Sequence, residues 1–75
     1  MNSQNIIDVL NQIIDNQDIS VSAVARRMNK TNQALNKQLN NSDMKVSTLL
    51  EIINALHCDI TITITDRATR KEYTI

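Results

Sequence analysis

The chain of 75 residues has no glycine, no tryptophan and no phenylalanine, and only one cysteine and one tyrosine. Without glycine it cannot build the Gly-rich loops that cradle phosphates, so P-loop and dinucleotide-fold chemistry is excluded. Without Trp and Phe the core must be aliphatic, built from Ile, Leu, Val and Met, with Tyr73 the sole aromatic. A lone cysteine, Cys58, cannot form an internal disulfide, which suits a reducing cytoplasm. No run of about 18 apolar residues is present to cross a membrane, and no signal-peptide pattern opens the sequence. Catalytic and metal chemistry are equally short of material. His57 and Cys58 are adjacent, so their side chains diverge in an extended segment. A nucleophile and its base need converging side chains with an orienting third group, and a zinc site needs about four ligands. The simpler readings are a small buried hydrophobe for Cys58 and a helix C-terminal residue favourable to the dipole for His57. No enzyme activity, metal or cofactor is expected.

What is present is hydrophobic periodicity. Ile6, Ile7, Leu10, Ile13 and Ile14 give a broad inward face to a first helix over 5–17, with Asn5 as its cap and Asp8 favouring its positive end. Val21, Val24, Ala25 and Met28 follow the i, i+3, i+4, i+7 pattern of a second helix over 21–28, capped by Ser20. Ala34, Leu35 and Leu39 mark a third over 32–40, with Thr31 as its cap. Between them lies Asn29-Lys30, and Asn is the non-Gly residue that best tolerates a left-handed backbone. After the turn-formers Asn40 to Asp43, a fourth helix over 46–56 faces Val46, Leu49, Leu50, Ile53 and Leu56 inward, with Met44 stapled onto Leu49. Beyond Cys58 the period changes to strict alternation, D-I-T-I-T-I-T from Asp59 to Thr65, which is a strand signal. Residues 66–70 then turn and 71–75 return as a second strand. The expected fold is mainly α: a four-helix unit over 1–58 followed by a β-hairpin over 59–75.

The stretch S-V-S-A-V-A-R-R-M-N-K-T-N-Q-A-L-N-K-Q-L, Ser20 to Leu39, resembles the helix-turn-helix of the phage Cro and lambda-repressor-like family. Ala25, Met28-Asn29, Thr31, Leu35 and Leu39 carry the likeness, and M-K-V-S-T-L-L-E-I-I-N-A-L, Met44 to Leu56, resembles that family's following helix. The resemblance covers roughly residues 5 to 58. It departs from the pattern at Asn29 and at Leu56-His57, where the family usually has Gly, and at Val21, where relatives often carry a polar phosphate contact. Ser20 or Ser22 is the replacement for that contact.

The resemblance implies that the second helix of the motif enters the DNA major groove. Thr31, Asn32, Gln33, Asn36 and Lys37 would then contact bases. Asn and Gln can pair two hydrogen bonds with adenine, Lys can donate to guanine, and Thr can offer its methyl to thymine. Asn is not favoured inside an exposed helix, so its use at 32 and 36 needs a reason; the plain alternative is ordinary exposed polar side chains. Ser20, Ser22, Arg26, Arg27, Lys30, Asn40, Asn41, Ser42 and Lys45 are the candidate phosphate contacts, together with the backbone N–H groups that open the fourth helix. Arg26 or Arg27 can instead pair with Asp15 or Asp18.

Formal net charge is zero, which is unfavourable for binding a polyanion, but the charge is unevenly spread. Residues 1–19 carry −3, residues 20–47 carry +4, and residues 48–75 carry −1. The basic segment coincides with the motif. Five solvated cations with no partner are the alternative.

A domain this small buries only about 60% of its unfolded surface, so association would add stability. Two strands alone are marginal in water, so Ile60, Ile62 and Ile64 are expected to bury their face on the first and fourth helices. The hairpin also exposes an edge that a second copy can pair with, and in the Cro branch a C-terminal strand contributes to dimerisation. Ile60, Ile62, Ile64, Tyr73 and Ile75 are therefore the candidate dimer residues, against a monomer whose hairpin merely caps the helices. The resulting expectation is a cytoplasmic, dimeric, DNA-binding transcriptional regulator, a repressor on an inverted repeat. The rival is a protein-interaction module, such as an antitoxin or anti-regulator, that has the fold without DNA binding.

Overall fold

Four helices and a two-stranded hairpin follow one another in the computed structural model, which describes residues 2–75. Helix α1 spans Ser3–Asn16, α2 Val21–Arg27, α3 Asn32–Leu39 and α4 Val46–Ala55; strand β1 is Thr63–Thr65 and β2 is Glu72–Thr74. The fold is mainly α, as the periodicity predicts.

Local chemistry explains where the helices start. The Ser20 hydroxyl accepts from the Ala23 N–H and the Thr31 hydroxyl from the Ala34 N–H, both at 3.1 Å, so both expected caps are in place. Helix α1 begins earlier than its pattern suggests. Asn2 is the cap, accepting from the Asn5 N–H at 3.0 Å, while its own N–H donates to the Asn5 side chain at 2.9 Å. Asn5 is thus the reciprocal partner and not the cap, because two asparagines form a capping box in place of the usual Ser/Thr and Glu/Gln pair. Asp8 consequently lies beyond the first turn, where it accepts from the Gln4 amide at 3.0 Å. Helix α4 has no side-chain cap at Lys45.

The helix ends show how a chain without glycine turns. Three helices finish in the same doubly hydrogen-bonded motif. The Ile19, Lys30 and Cys58 N–H groups reach back to the Ile14, Ala25 and Ile53 carbonyls. Each motif requires a left-handed residue, supplied by Asp18, Asn29 and His57 at φ 54°, 55° and 57°. Asn29 is the residue the sequence pointed to. For His57 the left-handed state costs about 1–2 kcal/mol, against about 0.5–1 kcal/mol of extra unfolded-state entropy for glycine. His57→Gly is therefore expected to raise the thermal midpoint by about 4 °C, read by circular dichroism. A lowered midpoint would mean that the imidazole does more than cap the helix.

Leu10, Val24, Leu35, Ile52 and Leu56 form the centre of the core, each at most 1% exposed. Helix α3 packs on α2 and α1, and α4 packs on α2. Three inward assignments, in two helices, need correction. In α4, Val46 and Leu50 are 64% and 44% exposed, while Ile52 is fully buried. The helix carries apolar residues on adjacent positions, so more than one stripe fits its sequence, and packing selects Leu49, Ile52, Ile53 and Leu56. In α3, Ala34 faces solvent beside the buried Leu35. Met44 and Leu49 are both half-buried against the core.

The hairpin pairs Thr63 with Thr74, Ile64 with Tyr73 and Thr65 with Glu72. An Ile75 N–H to Ile62 carbonyl bond of 2.9 Å extends the alignment by one position. The ladder is thus shorter than the alternating run 59–65, because the returning strand matches only its last part. The Asp66 carboxylate organises the turn by accepting from the Ala68 and Thr69 N–H groups, and Arg70 closes it with φ 63°. Lys71 lies over the Tyr73 ring, 5.3 Å from its centre.

The expected burial of Ile60, Ile62 and Ile64 on α1 and α4 is not found. Ile60 is 38% and Ile64 57% exposed, Ile62 is half-buried, and no hairpin residue belongs to the core cluster. The molecule is elongated, with extents of 44 × 22 × 20 Å. Among the described residues, no helix is long and apolar enough to cross a membrane.

Candidate nucleic-acid interface

The α2–turn–α3 unit is held from beneath. Val24 and Ala25 on α2 and Leu35 and Leu39 on α3 are buried together in the core. A small residue at 25 admits the second helix closely. This packing leaves the opposite side of α3 in solvent: Asn32, Gln33, Asn36 and Lys37 are all exposed. At 3.6 residues per turn, these four positions make one continuous stripe.

The stripe is only partly engaged by the fold. The Asn36 amide donates to the Asn32 side chain at 3.5 Å, and the Asn40 amide to the Asn36 carbonyl at 2.8 Å. Gln33 and Lys37 make no side-chain hydrogen bond among the described residues. Thr31 uses its oxygen as the cap of α3 and keeps its hydroxyl proton to donate. Ser20 does the same on α2.

The flanking residues divide into two groups. Ser22, Arg26, Ser42 and Lys45 are exposed and make no side-chain hydrogen bond among the described residues. Asn41 accepts from the Asp43 N–H at 3.0 Å and shapes the loop before α4. Arg27 and Lys30 are spent differently. Arg27 donates to the Ala55 carbonyl at 2.9 Å, placing its charge at the negative end of α4. Lys30 lies 3.6 Å from the Glu51 carboxylate and donates to the Gln38 amide oxygen at 3.4 Å. Neither Arg26 nor Arg27 forms an ion pair with Asp15 or Asp18 among the described residues; the pair found is Lys30–Glu51. Of the five cations in the basic segment, Arg26, Lys37 and Lys45 therefore remain uncommitted.

Sequence reasoning missed Gln17, Gln38 and Glu51. Gln17 donates to the Leu56 carbonyl at 2.8 Å, tying the end of α1 to the end of α4, and lies 3.6 Å from the Cys58 sulfur. Cys58 is half-buried there, short of the full burial expected. These links join residues far apart in the chain, and no local pattern marks them.

None of the known family models matches the chain, and no curated protein and no solved structure matches it either. The chemistry of the surface must therefore speak for itself. It combines two-pronged amide donors and acceptors, one ammonium, and flanking hydroxyls and cations on a rigidly backed helix. That is a set able to hydrogen-bond base edges and phosphates at once.

Proposed function

We propose that this protein is a sequence-specific DNA-binding transcriptional regulator of the Cro and lambda-repressor-like type. It reads the major groove with residues 31–39 and acts as a cytoplasmic repressor by occupying an operator that polymerase needs. The observation that carries the reading is the solvent-facing stripe Asn32, Gln33, Asn36 and Lys37, flanked by the uncommitted Arg26 and Lys45. The order of elements in the resembling family supports it, as does the concentration of positive charge in residues 20–47.

Selection of bound duplexes from a random DNA pool, followed by a salt titration, tests the proposal. A DNA binder enriches a defined site, and its affinity falls steeply with salt, by about 0.9 log unit per tenfold salt for each phosphate neutralised. If no duplex competes above non-specific binding at low salt, the reading fails. The protein-interaction alternative then gains ground, favoured by the internal commitment of Arg27 and Lys30.

A dimer on an inverted repeat completes the proposal. The chain exposes 5761 Å². A compact protein of its 8.5 kDa exposes about 4,700 Å², so it carries about 1,100 Å² in excess. A standard interface buries about 800 Å² per partner. Strand alternation puts Ile62, Ile64, Tyr73 and Ile75 on one face of the hairpin and Thr63, Thr65, Thr74 and Glu72 on the other. An edge three residues long offers few hydrogen bonds to a second copy, whereas this face presents three large apolar side chains that are each more than half exposed, Ile64, Tyr73 and Ile75. Face-to-face packing is therefore favoured over edge pairing. Ile64→Lys is expected to convert the dimer to the 8.5 kDa monomer in sedimentation velocity. Unchanged sedimentation of the variant would reject the hairpin as the interface.

A further inference from the structure

Lys30 stands in the motif's turn, where a cation is naturally read as a phosphate contact, yet its surroundings assign it another task. Its backbone is pinned, because its N–H closes the end of α2 on the Ala25 carbonyl at 2.9 Å. Its side chain is only 27% exposed. The ammonium reaches two helices at once: Gln38 in the last turn of α3 at 3.4 Å, and Glu51 in the middle of α4 at 3.6 Å. The principal packing of α3 is on α2 and α1, and that of α4 is on α2, so this tie adds a polar link between the reading helix and α4. Gln38 is half-buried and points away from the stripe formed by Asn32, Gln33, Asn36 and Lys37. Rotation of α3 about its axis moves Gln38 and that stripe together. To meet a phosphate, Lys30 would have to abandon Gln38 and Glu51.

We propose that Lys30 is a positioning residue: tethered by Glu51 and Gln38, it sets the roll of α3 and does not itself neutralise a phosphate. The effect on readout rests on the DNA-binding proposal above; the tether itself does not.

Two variants remove the tie from opposite ends. Lys30→Met keeps the aliphatic stem and loses the charge, and Glu51→Gln keeps the shape and loses the acceptor charge. Each is expected to weaken binding to the selected duplex about two- to fivefold, the range for a partly exposed ion pair. Binding to random duplex and the salt slope stay as in the unaltered protein, and the double variant is no weaker than either single one. A phosphate contact behaves otherwise: Lys30→Met weakens both duplexes equally and lowers the salt slope by about 0.9, while Glu51→Gln, by freeing the lysine, tightens both. That outcome overturns the proposal. Amide NMR spectra without DNA supply an independent reading. Both variants are expected to shift the Gln38 and Leu39 resonances; unmoved resonances in either variant overturn the tether whatever the DNA result. If the unaltered protein binds no duplex, the DNA-binding reading alone falls, and the spectra still decide the tether.

Discussion

Leu35→Ala is expected to lower the thermal midpoint by at least about 10 °C. Leu35 is fully buried and, with Leu39, seats α3 in the core. Truncating a buried leucine costs about 2–5 kcal/mol, through lost burial and the cavity left behind. A chain of this length has about 4–11 kcal/mol in total, and each kcal/mol shifts the midpoint of such a domain by about 4–8 °C. The loss falls on the whole fold because Leu35 belongs to the same cluster as Leu10, Val24, Ile52 and Leu56. Thermal melts by circular dichroism at one fixed protein concentration check this, since self-association makes the midpoint concentration-dependent. A drop below about 3 °C would show that α3 is not held by this contact.

Gln33→Ala should produce the largest change in recognition. Gln33 lies in the first turn of α3, is exposed, and makes no side-chain hydrogen bond among the described residues. Its removal therefore costs the fold little. A bidentate amide–adenine contact discriminates by about 1–3 kcal/mol, so binding to the selected site should weaken by that amount while random duplex is bound nearly as before. Arg26→Ala provides the contrast. Its loss should weaken all duplexes alike and lower the salt slope by about one. Equal losses of Gln33→Ala on specific and random DNA would remove Gln33 from base readout.

Leu35 and Gln33 were both legible from the helical spacing of the apolar residues along α3. Leu35 could be placed in the core from spacing alone, since Leu35 and Leu39 repeat at helical distance. The exposure of Gln33 follows from the same spacing. The caps Ser20 and Thr31 and the left-handed Asn29 were legible for a similar reason: their chemistry is settled within three or four residues of chain. Asn5 misled because its side chain does join a cap, as the second member of a pair opened by Asn2. Asp18 and His57 carried no glycine-like signal, yet hold the same left-handed geometry as Asn29.

The sequence by itself determined the order of four helices and a hairpin, the aliphatic core, the helix-turn-helix spacing and the concentration of positive charge in residues 20–47. Each of these is a local pattern, a composition or a count. Only the tertiary structure decided which of several apolar stripes on α4 turns inward, because adjacent apolar positions satisfy more than one face until a partner surface is present. It alone left the hairpin's apolar face outside the core, since burial of Ile60, Ile62 and Ile64 depends on where the helices end in space. And it alone divided the cations. Arg27 and Lys30 resemble Arg26 and Lys45 in sequence, but they find Ala55, Gln38 and Glu51 across the fold. A charge's partner is set by distance through space, which no periodicity along the chain records.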